Sequence, residues 1–319
     1  YAKLKGGAAS YDVIIPSDYM ISKMIKEGMI QKLDFDNIPN FSYIMDNFRN
    51  LEYDPENDYS VPYTWGTVGI IYDTTMIDIP ADEIDWDLLW NEDYDDQILM
   101  FDNPRDAFAI AEIMQGYSLN TENPEELADA ARKLTEQKSI VQGYVMDEVF
   151  DKMEAGDALI APYYAGDALT ILAENEDLNF VVPKSGTNLF IDAMCIPSTA
   201  RQKEAAEMYI NFMCEPDIGK ANAEYIGYTT PMQKVWDILD EDLKYSEIAY
   251  PSEEVEAKEK VFTALSDEVN NELDVKWSEM KSYNEGGSGV VFLMLLLAMV
   301  ALACFNIWRK LRKKTRNQY

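Results

Sequence analysis

The chain has 319 residues, of which 47% are apolar, so it is long enough to bury two hydrophobic cores. It carries 58 Asp and Glu against 27 Lys and Arg and contains no His. So strong a negative field repels nucleic acid and attracts cations, although much of the charge needs no other role than to keep the surface soluble. The absence of His excludes Ser/His/Asp triads, Cys/His nucleophilic pairs and His-bearing zinc sites.

The three cysteines occupy apolar stretches. Cys195 falls in a predicted strand, Cys214 on an apolar helix face and Cys304 in a hydrophobic segment near the C-terminus. This pattern indicates small buried residues and no disulfide framework. We expect neither a metal site nor a cofactor.

Residues 11–30 predict a strand, a loop and a helix. The apolar run 11–15 stops at Pro16, and apolar residues then recur at helical spacing. In open α/β sheets, ligands bind in loops at the carboxyl ends of strands, so Ser17 and Tyr19 are candidate ligand-binding residues. The alternatives are a helix cap for Ser17 and core packing for Tyr19.

Residues 59–72 predict one long extended segment, interrupted by Pro62, Gly66 and Gly69. Glycines inside a strand indicate bends or close backbone approach. A long bent strand is what a connection between two lobes would look like.

A buried strand is predicted at 97–101, followed by a helix through Met114. Asn103 is placed as its N-cap, Pro104 as its first residue and Asp106 in its first turn, where the helix dipole favours an acid. Capping explains both polar residues without a ligand, and a second role in binding is the alternative.

Strands and helices alternate from residue 140 to residue 183, which favours parallel βαβ units. Tyr163 and Tyr164 follow the predicted strand 158–162 and place two rings in a loop at its end. A further ring, Tyr228, lies in a predicted turn at 226–231, and 235–281 is predicted to be mostly helical.

Residues 187–197 form the most informative stretch of the chain. Side chains of a strand alternate between its two faces, so Phe190 and Asp192 project to the same side. A ring and a carboxylate together attract an organic cation. The alternative is a strand whose end carries a solvated Asp.

The C-terminal segment predicts a membrane anchor. A Gly-rich hinge at 286–289 precedes 19 residues without charge, 290–308, which suffice to span the hydrocarbon core. The basic cluster that begins at Arg309 is expected to stay in the cytoplasm. We therefore predict a single-pass protein of the cell membrane whose acidic body lies on the extracellular or periplasmic side.

Taken together, these stretches resemble the substrate-binding proteins of polyamine ABC transporters, the spermidine/putrescine-binding family, from residue 1 to about residue 282. The most specific motifs of the resemblance are at 11–17, 26–32, 57–66 and 226–231.

The resemblance implies an α/β fold, the two-lobed type 2 periplasmic-binding-protein fold, with crossing strands and a polyamine in the cleft. It implies no catalysis, and permease subunits of an ABC transporter as partners. The predicted domains are lobe I at 1–70 and 190–238, lobe II at 71–189 and 239–284, a linker at 285–289, a transmembrane helix at 290–308 and a basic tail at 309–319.

Site residues carry over from the family one by one. Asp192 matches its amine-binding Asp, and Phe190 and Tyr164 stand where it often has Trp. Asp106 stands where some members have Glu, while Asn103 replaces an Asp, so the second amine site has one formal charge fewer. Thr263 is nearest by position to a family Gln. Direct matches are Ser17, Tyr19 and Tyr228.

The start of the chain departs from the family, whose first strand and helix would lie before Tyr1. The sequence has no initiator Met and reads as if it begins inside a helix. We expect these elements in the natural protein, preceded by a signal peptide or a fused transporter permease.

Two other functions remain open from the sequence. One is a binding protein for a different solute, such as an amino acid, a sugar or a metal chelate. The other is a carboxylate-pair glycoside hydrolase that uses acids such as Asp102, Asp106 or Asp192.

Overall fold

A computed structural model describes residues 1–7, 10–252, 255 and 259–283. The predicted linker, transmembrane helix and basic tail, and with them Cys304, lie outside the described residues. Within the described part of the chain, no helix combines the length and the apolar character needed to cross a membrane.

Helices flank the strands throughout the described chain. They are α1 (Ala2–Lys5), α2 (Asp18–Lys26), α3 (Pro104–Met114), α4 (Pro124–Gln137), α5 (Glu148–Glu154), α6 (Ala165–Glu174), α7 (Lys203–Met213), α8 (Pro216–Ile226), α9 (Gln233–Trp236), α10 (Glu241–Lys244) and α11 (Asp267–Ser282). Single 3₁₀ turns occupy much of the loop at 35–48 and the segment 81–94.

Seven strands form one continuous hydrogen-bonded sheet within the described chain. They are β1 (Ser60–Asp73), β2 (Ile98–Phe101), β3 (Val141–Val145), β4 (Ile160–Tyr164), β5 (Leu178–Val181), β6 (Thr187–Cys195) and β7 (Glu259–Val261). The order is β3-β2-β4-β1-β6-β7, and β5 also pairs with β1. Because β2 pairs in parallel with both β3 and β4, the predicted parallel βαβ units are confirmed there.

Strand β1 joins the two lobes. Its first half, residues 60–67, pairs antiparallel with β6, whereas its second half, residues 68–73, pairs antiparallel with β4 and β5. Gly69 allows this crossing, because a Cβ atom there would lie 2.3 Å from the Phe180 ring and 2.5 Å from the carbonyl oxygen of Val181. The long strand that the sequence predicts between two lobes is confirmed.

Two large hydrophobic cores lie on either side of this crossing. One contains Val61, Trp65 and the inner face of β6, and the other contains Ile70, Ile71 and the strands β2 and β4. Such a division into two cores is what a two-lobed α/β protein requires. The residue boundaries given above for the lobes stay a prediction.

One local prediction was wrong, and another missed a short strand. Residues 11–15 do not form a regular strand; they contribute a single β-bridge from Ile14 to Cys195, since the proline and polar loop that follow end the pairing. The mostly helical segment 235–281 contains β7, which adds a parallel edge to β6. Cys195 and Cys214 are buried free thiols, as the sequence predicts.

Candidate ligand-binding site

A cavity of about 170 Å³ lies between the lobes, and ten residues line it. All eight of the predicted site residues are among them, although they come from five separate parts of the chain. The lining residues are Ser17, Tyr19, Asn103, Asp106, Tyr164, Asn188, Phe190, Asp192, Tyr228 and Phe262. The volume accommodates several water molecules, so it suits a small solute. That these residues bind a ligand stays a prediction.

One of the two carboxyl groups in the cavity is that of Asp192 on β6. The Ser17 hydroxyl donates to Asp192 Oδ1 over 2.7 Å, and a β-bridge joins the main chains of the two residues. Ser17 stands at the N-cap position of α2 but makes no capping hydrogen bond, because its hydroxyl is turned to Asp192. Burial raises the pKa of Asp192, and the hydrogen bond from Ser17 opposes this shift.

The other carboxyl group is that of Asp106 in the first turn of α3. Its Oδ2 atom accepts hydrogen bonds from the Tyr164 hydroxyl at 2.8 Å and from the Asn103 side-chain amide at 2.5 Å. Asn103 also caps α3, since its Oδ1 accepts from the amide of Arg105, so the predicted capping role is confirmed. Burial raises the pKa of Asp106 to about 6 in spite of these donors.

Aromatic rings line the cavity together with the two carboxyl groups. The Tyr164 and Phe190 ring centroids are 5.2 Å apart and nearly perpendicular, and those of Phe190 and Tyr228 are 6.0 Å apart. On the opposite side, Tyr19 meets Phe262 edge to face at 5.8 Å. Aromatic rings and two carboxyl groups in one cavity provide apolar surface for a hydrocarbon chain and anions for its charged groups.

Tyr228 is held from outside the cavity by the start of α6. A Cβ atom at Gly166 would lie 2.2 Å from the Tyr228 ring, so only glycine permits this contact. The ring also influences Asp167 on α6: burial raises the pKa of Asp167 to about 6, and the Tyr228 hydroxyl opposes this shift. The ring thus links the segment after α8 to the opposite lobe.

Two of the lining residues, Asn188 and Phe262, are not predicted by the sequence. A third residue, Thr263, does not line this cavity. Asn188 shares a strand face with Phe190 and Asp192, so the alternation of β6 could have identified it. Phe262 follows the three-residue strand β7, which gives no periodic signal. Thr263, the nearest match to a family Gln, lines a neighbouring cavity of about 420 Å³.

The lining of the cavity favours a cation. It includes two carboxyl groups, and none of its ten residues is Lys or Arg. The nearby Arg105 does not line the cavity: its guanidinium donates to Asn120 Oδ1 at 2.7 Å and stacks over the Phe262 ring at 4.4 Å. The arrangement can therefore replace the water around two ammonium groups but offers no counter-charge to an anion.

Comparison with known proteins identifies the family. The family of bacterial extracellular solute-binding proteins matches residues 9–251. The spermidine/putrescine-binding periplasmic protein of Escherichia coli (strain K12) is 34% identical over 255 residues, which cover 80% of this chain and 73% of that protein.

Solved structures give the same result. A structure from Listeria monocytogenes assigned to a spermidine/putrescine ABC transporter is 37% identical with a TM-score of 0.84, over 89% of this chain and 87% of that one. The spermidine/putrescine ABC transporter substrate-binding protein PotD of Streptococcus pneumoniae is 34% identical with a TM-score of 0.77, over 88% of this chain and 86% of that one.

These likenesses confirm the two-lobed α/β fold, and because the relatives are solute-binding proteins, they confirm that the chain is not an enzyme. The glycoside hydrolase alternative is thereby excluded. The chain belongs to the family of bacterial extracellular solute-binding proteins and is similar, within it, to the spermidine/putrescine-binding proteins of ABC transporters.

Proposed function

We propose that this chain binds an aliphatic diamine or polyamine, putrescine or spermidine, and delivers it to the permease subunits of an ABC importer. The observation that carries the proposal is that the carboxyl groups of Asp192 and Asp106 line one cavity together with the rings of Tyr164, Phe190 and Tyr228. The names of the relatives, which refer to spermidine and putrescine, support the same ligand class.

The proposed binding mode uses each part of the cavity. One ammonium group binds Asp192 beside Ser17, the methylene chain lies against Phe190, and a second ammonium group binds Asp106 beside Tyr164. A hydrogen bond to a charged group contributes about 1.5–3 kcal/mol, and a desolvated cation–π contact about 2 kcal/mol. Asp106 stands on α3 and Asp192 on β6, and these elements contribute residues chiefly to different hydrophobic cores. We therefore expect a dication to gain its second set of contacts only when the lobes close.

We further propose that the binding domain lies on the extracellular or periplasmic side and is anchored by the apolar segment 290–308. This proposal rests on the 19 uncharged residues of that segment and on the basic cluster that follows it. Anchoring would keep the binding domain close to its permease.

A different small solute is the second candidate. An anionic ligand would need Lys or Arg in the cavity, and the lining residues supply neither. A neutral sugar would leave Asp106 and Asp192 without a counter-charge in a buried site, which is costly.

A thermal-shift experiment on the full chain in detergent separates these ligand classes. We expect putrescine and spermidine at a hundredfold excess over Kd to add about 2.7 kcal/mol of stability and to raise the melting temperature. Glutamate and maltose should leave it unchanged. Stabilisation by glutamate or maltose but not by the amines would contradict the proposal.

The matched variant pair is Asp192→Asn and Asp73→Asn. Both residues carry a shielded carboxyl group, but Asp73 lies at the far end of β1 and bonds to Thr75. The amine-induced shift should be lost in the first variant and kept in the second.

A further inference from the structure

Asp18 is a buried carboxyl group between two residues that line the cavity, Ser17 and Tyr19, and the binding mode above does not use it. It is the first residue of α2 and directly follows Ser17, and its side chain is fully shielded from solvent. Its Oδ1 atom accepts from the amide of Tyr19 at 2.6 Å. Its Oδ2 atom is buried with no hydrogen-bond partner among the described residues.

The surroundings of Asp18 do not compensate for a full negative charge. Burial is the main cause that raises its pKa to about 8, and Asp192 raises it further. The backbone amides of Tyr19 and Ile191 and the more distant Arg105 lower the pKa only in part. The titratable groups that act on Asp18, or on which it acts, are Asp192 on β6, Arg105 on α3, Tyr19 on α2 itself and Tyr53 in the loop before β1.

Two neighbouring carboxyl groups in a site of low polarity do not ionise independently. With Asp192 ionised, the second charge on Asp18 meets both desolvation and repulsion, so the empty site favours a neutral Asp18. An ammonium group at Asp192 reverses this balance, because it adds a positive charge close to both carboxyl groups.

We propose that Asp18 is a specificity-determining residue of the amine subsite at Asp192, which holds a proton while the cavity is empty and releases it when an ammonium group binds. The inference rests on the proposed function and extends it. The proton passes from the Asp18 carboxyl group to the solvent buffer, and the ligand remains fully protonated, since an aliphatic amine has a pKa near that of Lys, about 10.4. The site thereby gains a third carboxylate only in response to a cation.

Proton release can be measured directly by calorimetric titration of the full chain with putrescine at pH 7.5. The apparent binding enthalpy in phosphate and in Tris gives the number of protons released, because the two buffers differ in protonation enthalpy. We expect about half a proton or more per site for the wild-type protein, and close to none for Asp18→Asn. Equal release by both proteins would overturn the inference.

Glu112→Gln is the matched control. Glu112 is also buried, its pKa is also raised, to about 7, and Arg105 acts on it as well, but Asp192 is not among the groups that shift its pKa. We expect this variant to release as many protons as the wild-type protein. If proton release is lost in Glu112→Gln and kept in Asp18→Asn, the released proton comes from Glu112 and the inference is overturned.

The pH dependence of affinity gives an independent test. Because binding releases a proton, putrescine affinity of the wild-type protein should rise about fivefold or more between pH 7 and pH 8.5. Asp18→Asn should show a nearly flat profile, and Asp18→Ser serves the same purpose if the amide variant does not fold. A rise of the same size in a folded Asp18 variant would contradict the inference.

The two proposals fail differently. If the protein gives no binding signal with putrescine or spermidine, the proposed function and the role of Asp18 both fall. If putrescine binds but neither proton release nor the pH profile depends on Asp18, only the role of Asp18 falls.

Discussion

Ser17 and Asp192 are separated by 175 positions in the chain and meet through a hydrogen bond of 2.7 Å from the hydroxyl to the carboxylate. Ser17 precedes α2, and Asp192 lies in the middle of β6. The bond favours the ionised form of a buried carboxyl group and fixes its orientation toward the cavity. A helix N-terminus and a strand thus cooperate in presenting a single anion.

Removal of this anion should weaken amine binding. For Asp192→Ala we expect an affinity for putrescine at least about tenfold lower, because a charge-assisted hydrogen bond of about 1.5–3 kcal/mol is lost. Ser17→Ala removes only the supporting neighbour and should lower the affinity less. Calorimetric titration measures both, and an unchanged affinity in Asp192→Ala would remove that residue from the site.

Asp106→Asn should make the empty protein more stable while it weakens binding. The pKa of Asp106 rises from 3.8 to about 6 on folding, so the folded protein favours the protonated form. Its ionisation therefore lowers the free energy of unfolding as the pH rises from about 4 to about 6. At pH 7 the variant avoids this loss, which amounts to at most about 3 kcal/mol.

Urea unfolding of the empty wild-type and Asp106→Asn proteins at pH 4 and pH 7 tests this stability effect. The variant should have a higher free energy of unfolding than the wild-type protein at pH 7. The difference should be small at pH 4, where the wild-type carboxyl group is protonated in the folded state. An equal gain at both pH values would show that charge burial is not its cause. In the same variant, putrescine affinity at pH 7 should fall about tenfold or more.

Gly166→Ala should displace the Tyr228 ring. The added methyl carbon would lie 2.2 Å from the ring, so either the ring or the first turn of α6 must move. We expect weaker putrescine binding and a destabilisation of about 1–3 kcal/mol, typical of overpacking. Gly143→Ala on β3 is the control, because its nearest contact would be an ordinary 3.9 Å. Similar losses of putrescine affinity and of stability in both variants would argue against a specific role for the Gly166 contact.

The sequence was sufficient for those features that have a local pattern. The 14-residue strand β1, the Asn103 cap and the alternation from β3 to β5 each follow from periodicity or from turn and cap residues. The alternation of β6 placed Phe190 and Asp192 on one face. The convergence of the eight residues needed the family resemblance, since no local rule brings residue 17 to residue 192.

Other features could not be read from the sequence, for identifiable physical reasons. Phe262 follows a strand of three residues inside an acidic, helix-rich segment, and tertiary pairing with β6 overrides the local preference there. Asp18 stands at a helix start, where an acid has an ordinary explanation in the helix dipole. Its complete burial becomes visible only when β6 packs over it.

The crossing strand β1 also has a mechanical consequence. Because Gly66 has no side chain, the Phe190 ring packs directly against the main chain of this strand. A Cβ atom added at Gly66 would lie 2.9 Å from Cζ of Phe190. A solute that pushes on the ring therefore pushes on the backbone that connects the two halves of the molecule. We expect an occupied cleft to restrain this connecting strand through the one aromatic side chain.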